Sequence, residues 1–271
     1  MSLSHATGVV DAIGVEHQVI GPDASPRIVC LVPSITELLF ALGLGKWLVG
    51  RTGFCIHPKQ LVQAVPKVGG TKDVNVEKIR GLAPTHLIVN IDENEKPTVD
   101  LLAKFIPNVI VTHPNHPRDN LVLFDLLGKI FRAEQAAKVL CEQLDEKLAL
   151  FEQHPIATGK TVLYCIWKDP WMTVSRDTYI AQMLALRGWT HWQSETNEKR
   201  YPSFDWRDPS LAQVDLVLLS TEPYSFDQQH ADHLQQDLGK PVILVDGEML
   251  SWYGSRVILG LEYLSTLKIE S

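Results

Sequence analysis

Cysteine is scarce: Cys30, Cys55, Cys141 and Cys165 are the four in 271 residues. They are far apart and form no Cys-x-x-Cys pair, which excludes a disulfide framework and a clustered zinc site. Free thiols fit a reducing compartment somewhat better than an oxidising one. Long apolar runs are missing as well, and nothing approaches the roughly 18 residues that a membrane span needs. Basic charge is in deficit, with 25 Lys and Arg against 32 Asp and Glu and a net charge of −7. A nucleic-acid or membrane-surface binder needs clustered cations, so neither partner is expected. The opening Met1–Gly14 has no basic start, apolar stretch or small-residue cleavage site. The expected location is therefore cytoplasmic if the chain is complete as written, and periplasmic if a leader was removed.

Catalytic signatures are also missing. Gly159-Lys160-Thr161 ends like a phosphate loop, but His154 stands where its first glycine belongs. The segment also precedes a strand, whereas a phosphate cradle follows one. Val68-Gly69-Gly70-Thr71-Lys72 lacks dinucleotide-loop spacing and reads as a turn. There is no Gly-x-Ser-x-Gly elbow and no His-Glu-x-x-His. No catalytic residue and no intrinsic cofactor are predicted. His113-x-x-His116 lies in a proline-interrupted loop that does not fix metal geometry. His230-x-x-His233 lies on a polar helix and reads as a solvated face.

What is present is an α/β pattern with 45% hydrophobic residues. Arg27–Val32 reads as a buried strand, and Ile35–Leu42 as a helix opened by a Ser34/Glu37 capping box. Trp47–Arg51, His86–Ile91 and Asn108–Thr112 read as strands, and Asn75–Leu82 as a helix. From Asp119 to about Gln153 helical spacing runs on with almost no breaker except Gly128. Alternation then resumes, with strands at Thr161–Ile166, Leu216–Ser220 and Val242–Val245. Helices are predicted at Thr178–Arg187, Gln228–Leu238 and Ser255–Leu267. Such alternation implies parallel sheets.

The halves also echo each other. Leu82-Ala83-x-x-x-Leu87-Ile88-Val89 recurs as Leu211-Ala212-x-x-x-Leu216-Val217-Leu218, and Val109–Val111 recurs as Val242–Leu244. The expected architecture is two βα lobes, residues 8–132 and 155–271, joined by one long helix over 133–154. A ligand cleft is expected between the lobes, at the carboxyl ends of the strands.

Several motifs together resemble a known family. They are Val10–Gly14, Pro26–Gly43, Val49–Thr52, Pro66–Gly70, Asn75–Ile79, Leu82–Ile88 and Ser255–Gly260. In this order they resemble the helical-backbone (class III) substrate-binding proteins of ABC importers, over nearly the whole chain. That family takes up cobalamin, haem and ferric siderophores, and the likeness is greatest to its cobalamin-binding members. The resemblance implies a monomeric binding protein rather than an enzyme. Its partners would be a small-molecule metal chelate and an ABC permease.

Position by position, the resemblance puts Pro33 and Ser34 at a ligand-facing strand–helix turn. Phe54 falls where the cobalamin-binding relative has an aromatic residue, and Thr71 where it has Trp, which removes a stacking surface. Trp167, Trp171, Trp252 and Tyr253 are candidate walls. They belong to a skewed set, since six of the seven Trp lie between Trp167 and Trp252. His57 is a candidate axial ligand to cobalt or iron, and Cys55 a soft one. Each is otherwise an ordinary loop residue. Arg51, Lys72, Lys168, Arg176 and Arg256 are the cations available to an anionic siderophore, with a local cap or pair as the alternative for Arg256. Glu95 (or Glu93) and Glu222 are candidates for docking a permease. The rival readings are a cytoplasmic chelate carrier or sensor of the same fold, and an enzyme acting at the cleft.

Overall fold

The computed structural model describes residues 9–153, 159–194 and 198–267. The predicted end of the long helix at residue 154 lies outside these, as do residues 1–8. Two units form. The first comprises residues up to 114, 120–143 and 254–256. The second comprises the described residues among 115–119, 144–253 and 257–267.

The first unit opens with a hairpin of β1 (Val9–Val10) and β2 (Glu16–His17). Then come β3 (Ile28–Cys30), α1 (Pro33–Ala41), β4 (Leu48–Arg51), α2 (Lys59–Val62) and α3 (Val76–Gly81). It continues with β5 (His86–Asn90), α4 (Lys96–Leu102), β6 (Asn108–Thr112) and most of α5 (Asp119–Ile130). α6 (Glu134–Gln153) contributes residues to both units. The second unit holds β7 (Thr161–Cys165), α7 (Tyr179–Ala185), β8 (Thr190–His191), β9 (Leu216–Ser220) and α8 (Gln228–Leu238). β10 (Val242–Val245), α9 (Gly247–Ser251) and α10 (Val257–Thr266) complete it.

Both large sheets are parallel. One has the order β4-β3-β5-β6 and the other β8-β7-β9-β10. Each large sheet thus begins at an inner strand, steps to one edge, then crosses to the other side. The sequence echo is a true structural repeat: β5 and β6 occupy the same places as β9 and β10. Continuous Val/Ile/Leu runs suit strands covered on both faces. Val29, Leu31, Leu87 and Val89 pack with Ile79 on one face of the first sheet. Leu163, Cys165, Val217 and Leu219 do the same with Trp192 in the second.

Local chemistry sets most helix ends. The Lys78 N–H donates to Asn75 Oδ1 at 2.8 Å to open α3. Asp227 and His230 cap each other at the start of α8, and Gly239 closes it with φ +61. Two predicted details are corrected. The long helical stretch breaks at Arg132, whose φ is +54, and not at Gly128. Gly128 instead permits close packing, because a Cβ there would lie 2.6 Å from the Ala137 Cβ. At α1 there is no capping box. Pro33 occupies the first turn, Val32 is the N-cap, and no side chain caps the helix.

Candidate functional site

In each sheet the winding reverses between the two central strands. Loops at the carboxyl ends beside such a reversal are where open α/β sheets bind ligands. In the first unit the reversal lies between β3 and β5. Pro33 and Ser34 open α1 two residues after β3 ends, and both are buried. The Ser34 hydroxyl, freed from capping, is buried without a hydrogen-bond partner. It sits in the turn where α1 presents backbone N–H groups that no carbonyl within the helix can accept. After β5, the Asn94 side chain donates to the Leu31 carbonyl at 3.3 Å and the Thr71 carbonyl at 2.9 Å. These bonds draw the loop holding Thr71 to the same edge.

The β4 loop divides its candidates. Phe54 is 62% exposed, and Ile56 and Ile91 are also uncovered. Cys55 is the opposite case. Its sulfur is fully buried and lies 3.1 Å from both the Thr36 and Thr52 hydroxyls. Burial pushes its thiol pKa up, against the pull of those hydroxyls. The expected soft metal ligand is therefore corrected to an enclosed, protonated thiol. His57 is half-buried in the same loop. Arg51 is not an available cation either: its guanidinium is buried and donates to the carbonyls of Val62, Thr52 and Cys55.

Glu37, misread as a capping residue, pairs with Arg256 through two bonds of 2.7 and 2.8 Å. The turn carrying Arg256 packs on α1. The Gly254 N–H donates to the buried Asn120 Oδ1 at 2.6 Å. With φ +77, and with a Cβ there lying only 3.0 Å from the Ser34 carbonyl oxygen, position 254 suits glycine alone.

In the second unit the reversal lies between β7 and β9. Trp167 follows β7, is 40% exposed, and meets Tyr224 edge-on at 5.5 Å. Trp171 does not form an open wall. It stacks on Phe226 at 5.7 Å and contacts Phe204 and Trp206 in an internal aromatic cluster. Beside that cluster is an open depression of about 820 Å³, lined by Pro170, Phe204, Asp205, Arg207 and Asp208 among others. Trp252 is buried, and its indole donates to Glu222 Oε1 at 2.7 Å. The Ser251 hydroxyl donates to the same oxygen at 2.9 Å. Burial raises the Glu222 pKa, with the two donors opposing it. Glu222 is half-buried, and its Oε1 serves as an acceptor within the second unit. Tyr253 is buried and meets Tyr179 edge-on at 5.8 Å.

Neither histidine pair forms a metal site. His113 Nε2 lies 3.4 Å from Asp92, the Arg118 N–H donates to His116, and His230 is committed to its helix cap. Among the described residues no group of three or more His, Cys, Asp or Glu could hold a metal ion. Sequence reasoning missed Tyr224, Ile56, Ile91 and Asn94. The signal that marks them is their place just after a strand's carboxyl end.

Two parallel α/β units of like topology, with uncovered aromatic and aliphatic side chains at their carboxyl edges, define a two-unit binding protein. The chain belongs to the periplasmic binding protein family, whose model matches residues 28–239. The vitamin B12-binding protein of Yersinia pestis (strain Pestoides F) is 24% identical over 247 residues, covering 89% of this chain and 85% of that protein. The vitamin B12-binding protein of Photorhabdus laumondii is 24% identical over 163 residues, so the chain spans 59% of that relative's length. The periplasmic vitamin B12 binding protein BtuF of Vibrio cholerae shares the fold with TM-score 0.73 at 18% identity. That match covers 89% of this chain and 95% of that one. The periplasmic heme binding protein HutB of Vibrio cholerae shares it with TM-score 0.71 at 22% identity, covering 90% and 98%. Among the described residues no helix is long and apolar enough to cross a membrane.

Proposed function

We propose that this chain binds a metal chelate, cobalamin or another corrinoid, non-covalently and without turnover, and delivers it to an ABC permease. The observation that carries this reading is the uncovered apolar surface at the carboxyl edges: Phe54, Ile56 and Ile91 in one unit and Trp167 in the other. Large flat ligands need broad apolar contact with a few polar anchors. Phe54 and Trp167 would supply the contact. Ser34 and Thr71 would supply polar anchors, with His57 placed to approach a metal axially. Trp252 and Tyr253, held by Glu222 and Tyr179, would shape the segment beside them. Glu95, exposed at the start of α4, is the docking acid we retain. The lobes would be residues 8–132 and 155–271, with the helix over 133–154 between them, and the working form a monomer. Membership of the periplasmic binding protein family supports a place outside the inner membrane.

The test is titration of purified protein with cyanocobalamin, followed by calorimetry and by quenching of tryptophan emission. Saturable one-to-one binding is expected, weakened by Phe54→Ala and by Trp167→Ala. Absence of binding by any corrinoid, haem or ferric siderophore would sink the proposal.

A further inference from the structure

Asn94 is buried in the loop after β5, and its side chain joins three segments of the first unit. Its Oδ1 accepts the Asn90 N–H at 2.9 Å, and its own N–H donates back to the Asn90 carbonyl at 3.1 Å. These two bonds close the turn at the end of β5. The amide nitrogen carries two hydrogens, and two carbonyls take them. One is Leu31, the residue after β3, at 3.3 Å, and the other is Thr71 at 2.9 Å. The orientation of the amide is therefore fixed by its neighbours, with one N–H donor facing the oxygen and two carbonyls facing the nitrogen.

The base of the Thr71 loop is held by backbone bonds. The Gly53 N–H donates to the Gly69 carbonyl, and the Gly70 N–H to the Asp73 carbonyl, both at 2.7 Å. Lys72 and Asp73 at its tip are exposed. Beyond that base, the Asn94 bond ties Thr71 to the sheet edge. The same loop backs the Phe54 ring, because a Cβ at Gly70 would lie 3.4 Å from the ring's Cε2. The Phe54 backbone is anchored separately. Arg51 donates to the carbonyls of Thr52 and Cys55 on either side of it, and the Thr36 and Thr52 hydroxyls hold the Cys55 sulfur. The ring itself is mostly exposed. Its orientation depends on the loop behind it, and the Asn94 amide sets where that loop stands.

We infer that Asn94 is a positioning residue for the binding edge: it fixes the Thr71 loop, and through Gly70 the face that Phe54 offers to a ligand. This rests on the chelate-binding reading above. A ring held in place before the ligand arrives loses less freedom on binding, so its contact yields more affinity. Without the two Asn94 donors, the carbonyls of Leu31 and Thr71 lose their partner and the loop is free to leave the ring.

The experiment is a set of double-mutant cycles read by calorimetric titration with cyanocobalamin, or with haem if the wild type binds only that. Asn94→Ala removes all the side-chain bonds. Asn94→Asp keeps the size and the acceptor for the Asn90 N–H but replaces both donors, so it isolates the bonds to Leu31 and Thr71. It also carries the test if the alanine variant does not fold. Each should weaken binding about tenfold in the wild-type background. In a Phe54→Leu background, where the ring is gone but an apolar side chain remains, the same change should cost no more than about twofold. In a Trp167→Ala background, whose lost ring belongs to the second unit, the full loss should persist. In the ligand-free protein, amide hydrogen exchange at residues 70–74 should quicken in both Asn94 variants. A loss of equal size in all three backgrounds would report general loosening and overturn the inference, while the chelate-binding reading stands. Wild-type affinity in both Asn94 variants, or unchanged exchange at residues 70–74, would overturn it likewise. If the wild type binds neither cyanocobalamin nor haem nor a ferric siderophore, the proposed function fails and the inference falls with it.

Discussion

Acidification should loosen both units through one buried histidine in each. In the second unit His191 is 3% exposed on β8. Its Nε2 accepts the Tyr164 N–H at 3.0 Å and lies 3.3 Å from the Thr173 hydroxyl, while its Nδ1 has no partner. A proton on Nε2 would abolish the first bond and put charge near Arg176. Burial, reinforced by Arg176, lowers the His191 pKa from 6.5 to about 4. In the first unit burial, with the charge of His17, brings His86 to about 4 as well. Both groups are depressed in the folded state, so the unfolded chain takes up protons first. Stability is complete above pH 6.5, falls as the pH drops from there to about 4, and stops falling below that. Each histidine should contribute about 3 kcal/mol to the loss, a sizeable share of a typical domain's stability. Hydrogen exchange of amides in β5–β6 and β7–β9, measured across this pH window, reads the two units separately. His191→Gln keeps an acceptor for the Tyr164 N–H and removes the titration. It should flatten the decline in β7–β9 and leave that in β5–β6 unchanged. If the variant's second unit weakens over this window as much as the wild type's, the reasoning is wrong.

Arg256→Met leaves Glu37 poorly solvated without its partner and should cost about 3 kcal/mol in thermal unfolding, with Arg256→Lys intermediate. Gly254→Ala forces a left-handed φ and a 3.0 Å approach to the Ser34 carbonyl, so a loss of about 1–3 kcal/mol is expected by urea titration. Trp171→Ala should cost about 3 kcal/mol because it opens the aromatic cluster. Phe54→Ala should leave the unfolding midpoint within about 0.5 kcal/mol of wild type while lowering chelate affinity in calorimetry.

The fold was legible because strands buried on both faces leave a compositional mark. Leu216–Ser220 and Val242–Val245 could be read to the residue, since apolar runs bounded by polar turns admit few alternatives. The offset between Leu87 and Leu216 anticipated that both strands hold the same place in their sheets. The predicted helix starts at Asn75 and Thr178 fall on the residues whose side chains cap α3 and α7, one position before each helix. The capping reading failed at Ser34, where Pro33 already supplies a residue preset for the first turn and shifts the helix start. The Ser34 hydroxyl was thereby left without a bond, and Glu37 was free to meet a residue 219 positions away.

That long-range pairing explains why the site was read less well than the fold. A strand declares itself within five or six residues, whereas a charged side chain's role depends on what the fold brings beside it. Arg51 and Glu222 were read as available for a ligand or a permease, and Arg256 as either available or locally paired. In the fold Arg51 is taken by three carbonyls, Arg256 by a carboxylate, and Glu222 Oε1 by an indole and a hydroxyl. Phe54 and Trp167 stay partly exposed in the fold, Trp167 with Tyr224 against its edge. Reading a binding site in this chain thus reduces to finding which groups the fold has not already satisfied. By that criterion the strongest candidates are the two uncovered rings and the Ser34 hydroxyl.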